Sequence, residues 1–149
     1  MANSIRKLKE VMTRNIRTVG PDASLKEVAS KMDEQDTGAI PVCESDEVVG
    51  IITDRDIVLR VFSNNLDPAT ARARDVMTPS VVSLNEDQDV DEAAKIMQAK
   101  QIRRLIVLDS EGSLTGIVSL GDLAVSGQRE RSADVLEKIS QSPEKKGAA

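Results

Sequence analysis

Apolar residues recur along this chain in short blocks, and the period of each block predicts an element. Ile5, Leu8 and Met12 fall near one helical face, which predicts a short amphipathic helix over Ser4–Val11. Ile16–Val19 reads as a short strand, followed by a turn at Gly20-Pro21-Asp22. Ser24 and Glu27 have the S-x-x-E spacing of a capping box and open a helix to about Gln35. Leu25, Val28, Ala29 and Met32 form its apolar face. Gly38–Cys43 is apolar enough for a buried strand, with Pro41 arguing for an edge or an irregularity there. Glu44–Glu47 makes a polar turn, and Val48–Thr53 returns as the second strand of a hairpin. A helix from about Asp54 to Phe62 closes the unit.

The same order then repeats. Ser63–Thr70, rich in Asn, Asp, Pro and Ser, has no periodicity and marks an internal boundary. "VMT" at Val11–Thr13 returns at Val76–Thr78, and at the same offset Asp22 matches Asp87, Glu27 matches Glu92, and Met32 matches Met97. Asp89 and Glu92 form a second cap. A single added turn residue brings Gly50 opposite Gly116. The expected organisation is a lead-in over 1–10, a first repeat over 11–62, a linker over 63–75, a second repeat over 76–125, and a short helix and tail over 126–149. That last helix is expected at about Ser132–Ile139, with Ala133, Leu136 and Ile139 as its thin stripe. The fold class is α/β (α+β): two β-α-β-β-α repeats related by a pseudo-twofold axis, with small sheets and flanking helices. A repeat of ~50 residues has little core of its own.

The chemistry concentrates where each repeat passes from its last strand into its last helix. "GIITDRDI" (Gly50–Ile57) carries Thr53 and Asp56; "GIVSLGDL" (Gly116–Leu123) carries Ser119 and Asp122 at the same spacing. A hydroxyl and a carboxylate three residues apart across such a junction share one space. The hydroxyl and free N–H groups suit a phosphate, and the carboxylate suits a sugar diol. The plain alternatives are that the acids favour the helix dipole and that Thr53 and Ser119 are N-caps. Capping and ligand contact are compatible.

Composition narrows the choice. The 149 residues are 40% hydrophobic and 30% charged, with a formal net charge of −5, which disfavours non-specific nucleic-acid binding. There is no His, Trp or Tyr; Phe62 is the single aromatic and Cys43 the single cysteine. His-based triads, a disulfide framework and multi-cysteine metal sites are thereby excluded. No phosphate-loop or metal-ligand pattern occurs, so an enzyme is not expected. A nucleobase would have to sit between aliphatic side chains and backbone. Cys43 reads as a small buried hydrophobe, and the recurring Met12, Met32, Met77 and Met97 as core filler. No apolar run reaches the ~20 residues of a membrane span. The N-terminus lacks a signal-peptide core, so a cytoplasmic protein is expected.

Two β-α-β-β-α units, each opening on "VMT" and ending in G-h-h-[ST]-x-x-D (h apolar), resemble a tandem CBS-domain pair, the Bateman module. "TDRDIV" at Thr53–Val58 is similar to small stand-alone bacterial members, the hypoxic response type among them. The resemblance implies a regulatory module that binds AMP, ADP, ATP or S-adenosylmethionine in clefts between repeats, with no required cofactor. It places the ribose on Asp56 and Asp122, and the phosphate near Thr53 and Ser119. Arg55, Arg103 and Arg104 are the basic residues available to phosphate; the last two also read as a solvated strand end. The backbone of Gly38-Ala39-Ile40 and of Arg103-Arg104-Leu105 is implied to meet the adenine edge. The two clefts are not equivalent, because Gly38-Ala39 faces Arg103-Arg104 and Asp54-Arg55 faces Leu120-Gly121 in the alignment of repeats. A homodimer and an effector protein are the partners the resemblance implies. The other reading is a structural or interaction module with no physiological nucleotide.

Overall fold

In the computed structural model, which describes residues 6–125 and 129–140, the chain divides into two contact units. Unit 2 is one continuous run, residues 16–81. Unit 1 joins residues 1–15 to 82–149. The sequence repeats and the contact units are therefore out of phase: the first "VMT" lies in the unit that contains the second repeat.

Unit 2 begins with α2 in chain order (Leu25–Gln35), since α1 (Leu8–Val11) belongs to unit 1. Ser24 caps α2 by accepting from the Glu27 N–H at 3.1 Å. The expected box is only half closed: the Glu27 carboxylate turns to Lys31 at 3.4 Å, one helical turn on. Strands β1 (Ala39–Glu44) and β2 (Glu47–Thr53) form an antiparallel hairpin, with an irregularity after Val42. Helices α3 (Asp54–Ser63) and α4 (Ala73–Val76) complete the unit. Its core centres on Val28, Ile40, Val42 and Ile52, all fully buried.

The strand expected at Ile16–Val19 does not form. Val19 alone bridges to the hairpin, donating to Pro41 O at 3.1 Å and accepting from Cys43 N–H at 2.9 Å. The backbone before it is satisfied by side chains of α2. Arg17 N–H donates to Gln35 Oε1 (3.0 Å), and Thr18 O accepts from Lys31 Nζ (2.8 Å). Backbone groups satisfied in this way do not need a ladder partner.

Unit 1 holds β3 (Ser83–Asn85), α5 (Val90–Lys100), β4 (Arg104–Leu108), β5 (Leu114–Ser119), α6 (Leu120–Val125) and α7 (Arg129–Ser140). Its sheet order is β3-β4-β5, parallel then antiparallel. Asp89 caps α5 from the expected position, accepting from Glu92 N–H at 3.0 Å. Helix α7 packs on α5 and α6 and sends Ile139 into a core that includes Leu8, Met97, Val107 and Leu123. It is longer than the sequence reading of Ser132–Ile139.

Helix α1 starts at Leu8 rather than at Ser4; residues 1–5 lie outside the described residues. Lys7 bridges Asp89, and Val90 N–H donates to Arg6 O at 2.9 Å, so the segment before Leu8 is extended. Helix α4 is the counterpart of α1, and each runs into its "VMT". Each "VMT" then pairs with a strand of its own contact unit. Thr13 and Ile117 exchange both backbone bonds (2.8 and 3.1 Å), and so do Thr78 and Ile51 (2.9 and 3.0 Å). The close approach requires glycine alongside: a Cβ on Gly116 would lie 2.6 Å from Thr13 O and 2.7 Å from Met12 Sδ. On Gly50 it would meet Met77 Sδ at 2.7 Å and Thr78 O at 3.0 Å. No helix among the described residues is long and apolar enough to cross a membrane.

Candidate functional site

Both strand-to-helix junctions have the same local geometry. Thr53 leaves β2 in an extended conformation and caps α3, its Oγ1 accepting from Asp56 N–H at 3.1 Å. Asp56 Oδ2 accepts in return from Thr53 N–H at 2.9 Å. In unit 1, Ser119 Oγ accepts from Asp122 N–H at 3.1 Å, and Asp122 Oδ2 accepts from Ser119 N–H at 2.8 Å. These are reciprocal capping boxes. The capping role weighed for Thr53 and Ser119 is thus present in full.

Capping leaves chemistry to spare. Among the described residues, Oδ1 of Asp56 and of Asp122 has no partner, and each hydroxyl proton is free to be donated. Each junction therefore presents one carboxylate oxygen with two lone pairs and one O–H donor, held half-buried and side by side.

The segment before the second strand lies against each junction. Gly38 O accepts from Asp54 N–H at 3.0 Å, and Arg103 O accepts from Leu120 N–H at 2.9 Å. One residue on, Ala39 pairs with Thr53 and Arg104 with Ser119. Ile40 and Leu105 direct buried side chains into their cores, Ala39 is buried on the other face of its strand, and Ala39 N–H is bound to Thr37 Oγ1 at 3.3 Å.

Beyond that shared frame the junctions diverge. In unit 2 the Asp54 carboxylate lies over Gly38, so close that a Cβ there would be 3.0 Å from Oδ2. Arg55 is exposed on the next residue, its N–H donating to Asp54 Oδ1 at 2.8 Å. A carboxylate in this place repels phosphate. In unit 1 the equivalent residues are Arg103 and Leu120. There a cavity of about 490 Å³ is lined by Arg103, Arg104, Ser119, Leu120, Gly121, Ala124, Ala133 and Leu136. Neither guanidinium has an ion-pair partner among the described residues. Three of the sequence-derived candidates thus meet in one cavity, whereas Asp122 turns back to its own cap and is not in its lining. The contribution of Ala133 and Leu136 was not foreseen; the thin apolar stripe of α7 was its only sequence signal.

Cys43 is half-buried, and burial pushes its thiol pKa up, so it is not an activated thiol. Among the described residues no group of three or more His, Cys, Asp or Glu could hold a metal ion.

The CBS-domain family model matches residues 8–63 and 73–126, so both copies begin at their short lead-in helices. The chain is 40% identical over 126 residues to the CBS domain-containing protein YhcV of Bacillus subtilis, covering 85% of this chain and 89% of that one. It is 35% identical over 117 residues to hypoxic response protein 1 of Mycobacterium tuberculosis (78% of this chain, 81% of that protein). It is 42% identical over 115 residues to MK0525 of Methanopyrus kandleri, with 76% of this chain covered but only 59% of the relative's length. Among solved structures, CBSX2 in complex with AMP is similar at a TM-score of 0.70 and 23% identity, covering 84% of this chain and 98% of that one; that likeness shows the fold alone. The duplicated junction and the matched repeats agree: this chain belongs to the CBS-domain family, as a tandem pair.

Proposed function

We propose that the chain is a non-catalytic sensor module that binds an adenosine ligand, AMP, ADP, ATP or S-adenosylmethionine, and passes its occupancy to a partner protein. The observation that carries this reading is the second junction. Its capping pair leaves a carboxylate oxygen and a hydroxyl proton without a partner among the described residues, and Ser119 of that pair lines a cavity with two arginines that have no ion-pair partner among the described residues. Asp122 Oδ1 takes the ribose hydroxyls. Ser119, Arg103 and Arg104 take phosphate, and the backbone at Arg103–Leu105 meets the base. Charge-assisted bonds of this type contribute about 1.5–3 kcal/mol each. The first junction offers Asp56, Thr53 and Arg55, with the backbone of Gly38, Ala39 and Ile40. Asp54 makes it the weaker anion site. That a protein of the same fold was solved with AMP supports the ligand class. The protein acts in the cytoplasm as a homodimer.

A second reading, an interaction module without a physiological nucleotide, is favoured by the outer face of α3. Val58, Leu59 and Phe62 are 55%, 46% and 77% exposed there, an apolar face of the kind that marks contact surfaces.

Calorimetric titration of nucleotide-stripped protein with the four ligands separates the two. Asp56→Asn and Asp122→Asn are the informative variants. An amide oxygen still accepts the capping N–H, while its NH2 cannot accept from a diol. Saturable binding lost in Asp122→Asn supports the sensor. No heat from any ligand, with folded protein in the cell, refutes it and leaves the interaction module.

A further inference from the structure

The cavity beside the second junction has two kinds of wall. Arg103, Arg104 and Ser119 make one polar side. Leu120 and Ala124 of α6, with Ala133 and Leu136 of α7, make an apolar one. We propose that α7 is a working wall of the ligand site: an adenine nucleotide held by the two arginines touches α7 directly, which couples occupancy to docking of the C-terminal helix. This inference rests on the nucleotide reading above.

Three observations support it. First, the wall belongs to one repeat only. Ala124 is half-buried in the cavity lining, whereas Val58, its counterpart in the first repeat, is 55% exposed. Second, no aromatic side chain is among the residues that line the cavity, so a base that leaves water there is covered by aliphatic side chains and backbone, and α7 supplies two of those side chains. Third, α7 is both anchored in the core and open to solvent where it lines the cavity. Ile139 is its anchor in the core, Gln101 Nε2 donates to Lys138 O at 3.1 Å, and Leu136 is 46% exposed. A ligand that touches only the docked helix shifts docking by its differential affinity.

The test uses the full chain with AMP and ATP as probes, in two measurements. Hydrogen exchange of residues 129–140 is followed with and without saturating nucleotide. Calorimetry compares wild type with Leu136→Asp and Leu136→Arg. Leu136 is exposed enough for both variants to fold. Both variants remove the apolar cover that Leu136 gives the base; the aspartate also competes with phosphate for Arg103 and Arg104 and should weaken binding about tenfold, whereas the arginine adds a cation beside the phosphate and should weaken it clearly less. Nucleotide should slow exchange along α7. Unchanged α7 exchange, Leu136→Asp affinity within about twofold of wild type, or equal weakening by both variants would each overturn the coupling. Binding that is lost in Asp122→Asn but indifferent to residue 136 overturns the α7 role alone. No binding of either probe to wild type overturns the nucleotide reading and this inference together.

Discussion

Replacing Gly116 with alanine tests the packing of the first "VMT" against β5. The added Cβ would stand 2.6 Å from Thr13 O and 2.7 Å from Met12 Sδ. Met12 can rotate, but Thr13 O is backbone and one of two groups paired with Ile117. Restoring an ordinary C···O separation of about 3.3 Å needs a shift of several tenths of an ångström at that bridge. Overpacking of this kind costs about 1–3 kcal/mol, and a weakened hydrogen bond adds about 0.5–1.5 kcal/mol. Relief of glycine's chain entropy returns about 0.5–1 kcal/mol. The net expectation is a loss centred on about 2 kcal/mol, within a span of about 0.5–4 kcal/mol. Gly50→Ala should cost less, because its nearest neighbour is the Met77 sulfur and the nearest backbone atom is 3.0 Å away. Gly20 is the control, with nothing within 4 Å and no positive φ; alanine there should be neutral or stabilise by about 0.4–1 kcal/mol. Urea unfolding by far-ultraviolet circular dichroism measures all three, since the chain has neither Trp nor Tyr for fluorescence. If Gly116→Ala matches Gly20→Ala to within about 0.5 kcal/mol at unchanged m-value, the close crossing does not exist in solution.

Other variants probe other layers of the argument. Asp122→Ala removes an oxygen that accepts Ser119 N–H at 2.8 Å and should lower stability by about 0.5–1.5 kcal/mol, while Asp122→Asn should retain most of it; equal losses would mean that the cap does not stabilise α6. Met97, fully buried in unit 1, should cost about 2–5 kcal/mol as Met97→Ala, read by the same unfolding curve; a loss of a few tenths would contradict its burial. The Lys9–Asp87 pair (2.8 Å) predicts a pH signature: Lys9, by hydrogen bond and then by charge, holds the Asp87 carboxyl below its ordinary range. A depressed folded-state pKa stabilises above the unfolded pKa, and that contribution is lost as pH falls through the folded one. Asp87→Asn should therefore unfold earlier than wild type at neutral pH, with the gap closing in acid and shrinking in high salt; a gap that widens in acid would invert the assignment.

What the sequence carried, it carried through local rules. Thr53-x-x-Asp56 and Ser119-x-x-Asp122 are short-range patterns, and a capping box forms wherever a strand passes into a helix with those residues. Ser24 and Asp89 were readable as caps for the same reason. Ile16–Val19 misled because its propensity is that of a strand, while its backbone partners, Gln35 and Lys31, lie one helix away. Helix α4 was hidden because four residues are too few to show a period. The wall that Leu136 adds to the cavity was also unreadable. It depends on where α7 docks, and a thin apolar stripe does not name the surface that receives it. The asymmetry of the two junctions, by contrast, was plain from Gly38 against Arg103. The structure adds that the Asp54 carboxylate fills the space beside Gly38.

The offset between repeat and unit bears on how the chain is made. Residues 16–81 leave the ribosome as one unbroken run, so the contacts internal to that unit are available as it emerges. Those of the leading fifteen residues are not. Thr13 waits for Ile117, and at ordinary rates of synthesis the interval is roughly 5–20 s. Through that interval Leu8 and Met12, which end in the core of unit 1, are unprotected. The nascent chain thus carries a contiguous unit in its middle and, ahead of it, a segment whose Leu8 and Met12 still lack their core, and the late half is the one that holds the arginine-lined cavity. A premature stop before β5 would release a chain with the whole of residues 16–81, an unpaired Thr13 and no arginine-lined cavity.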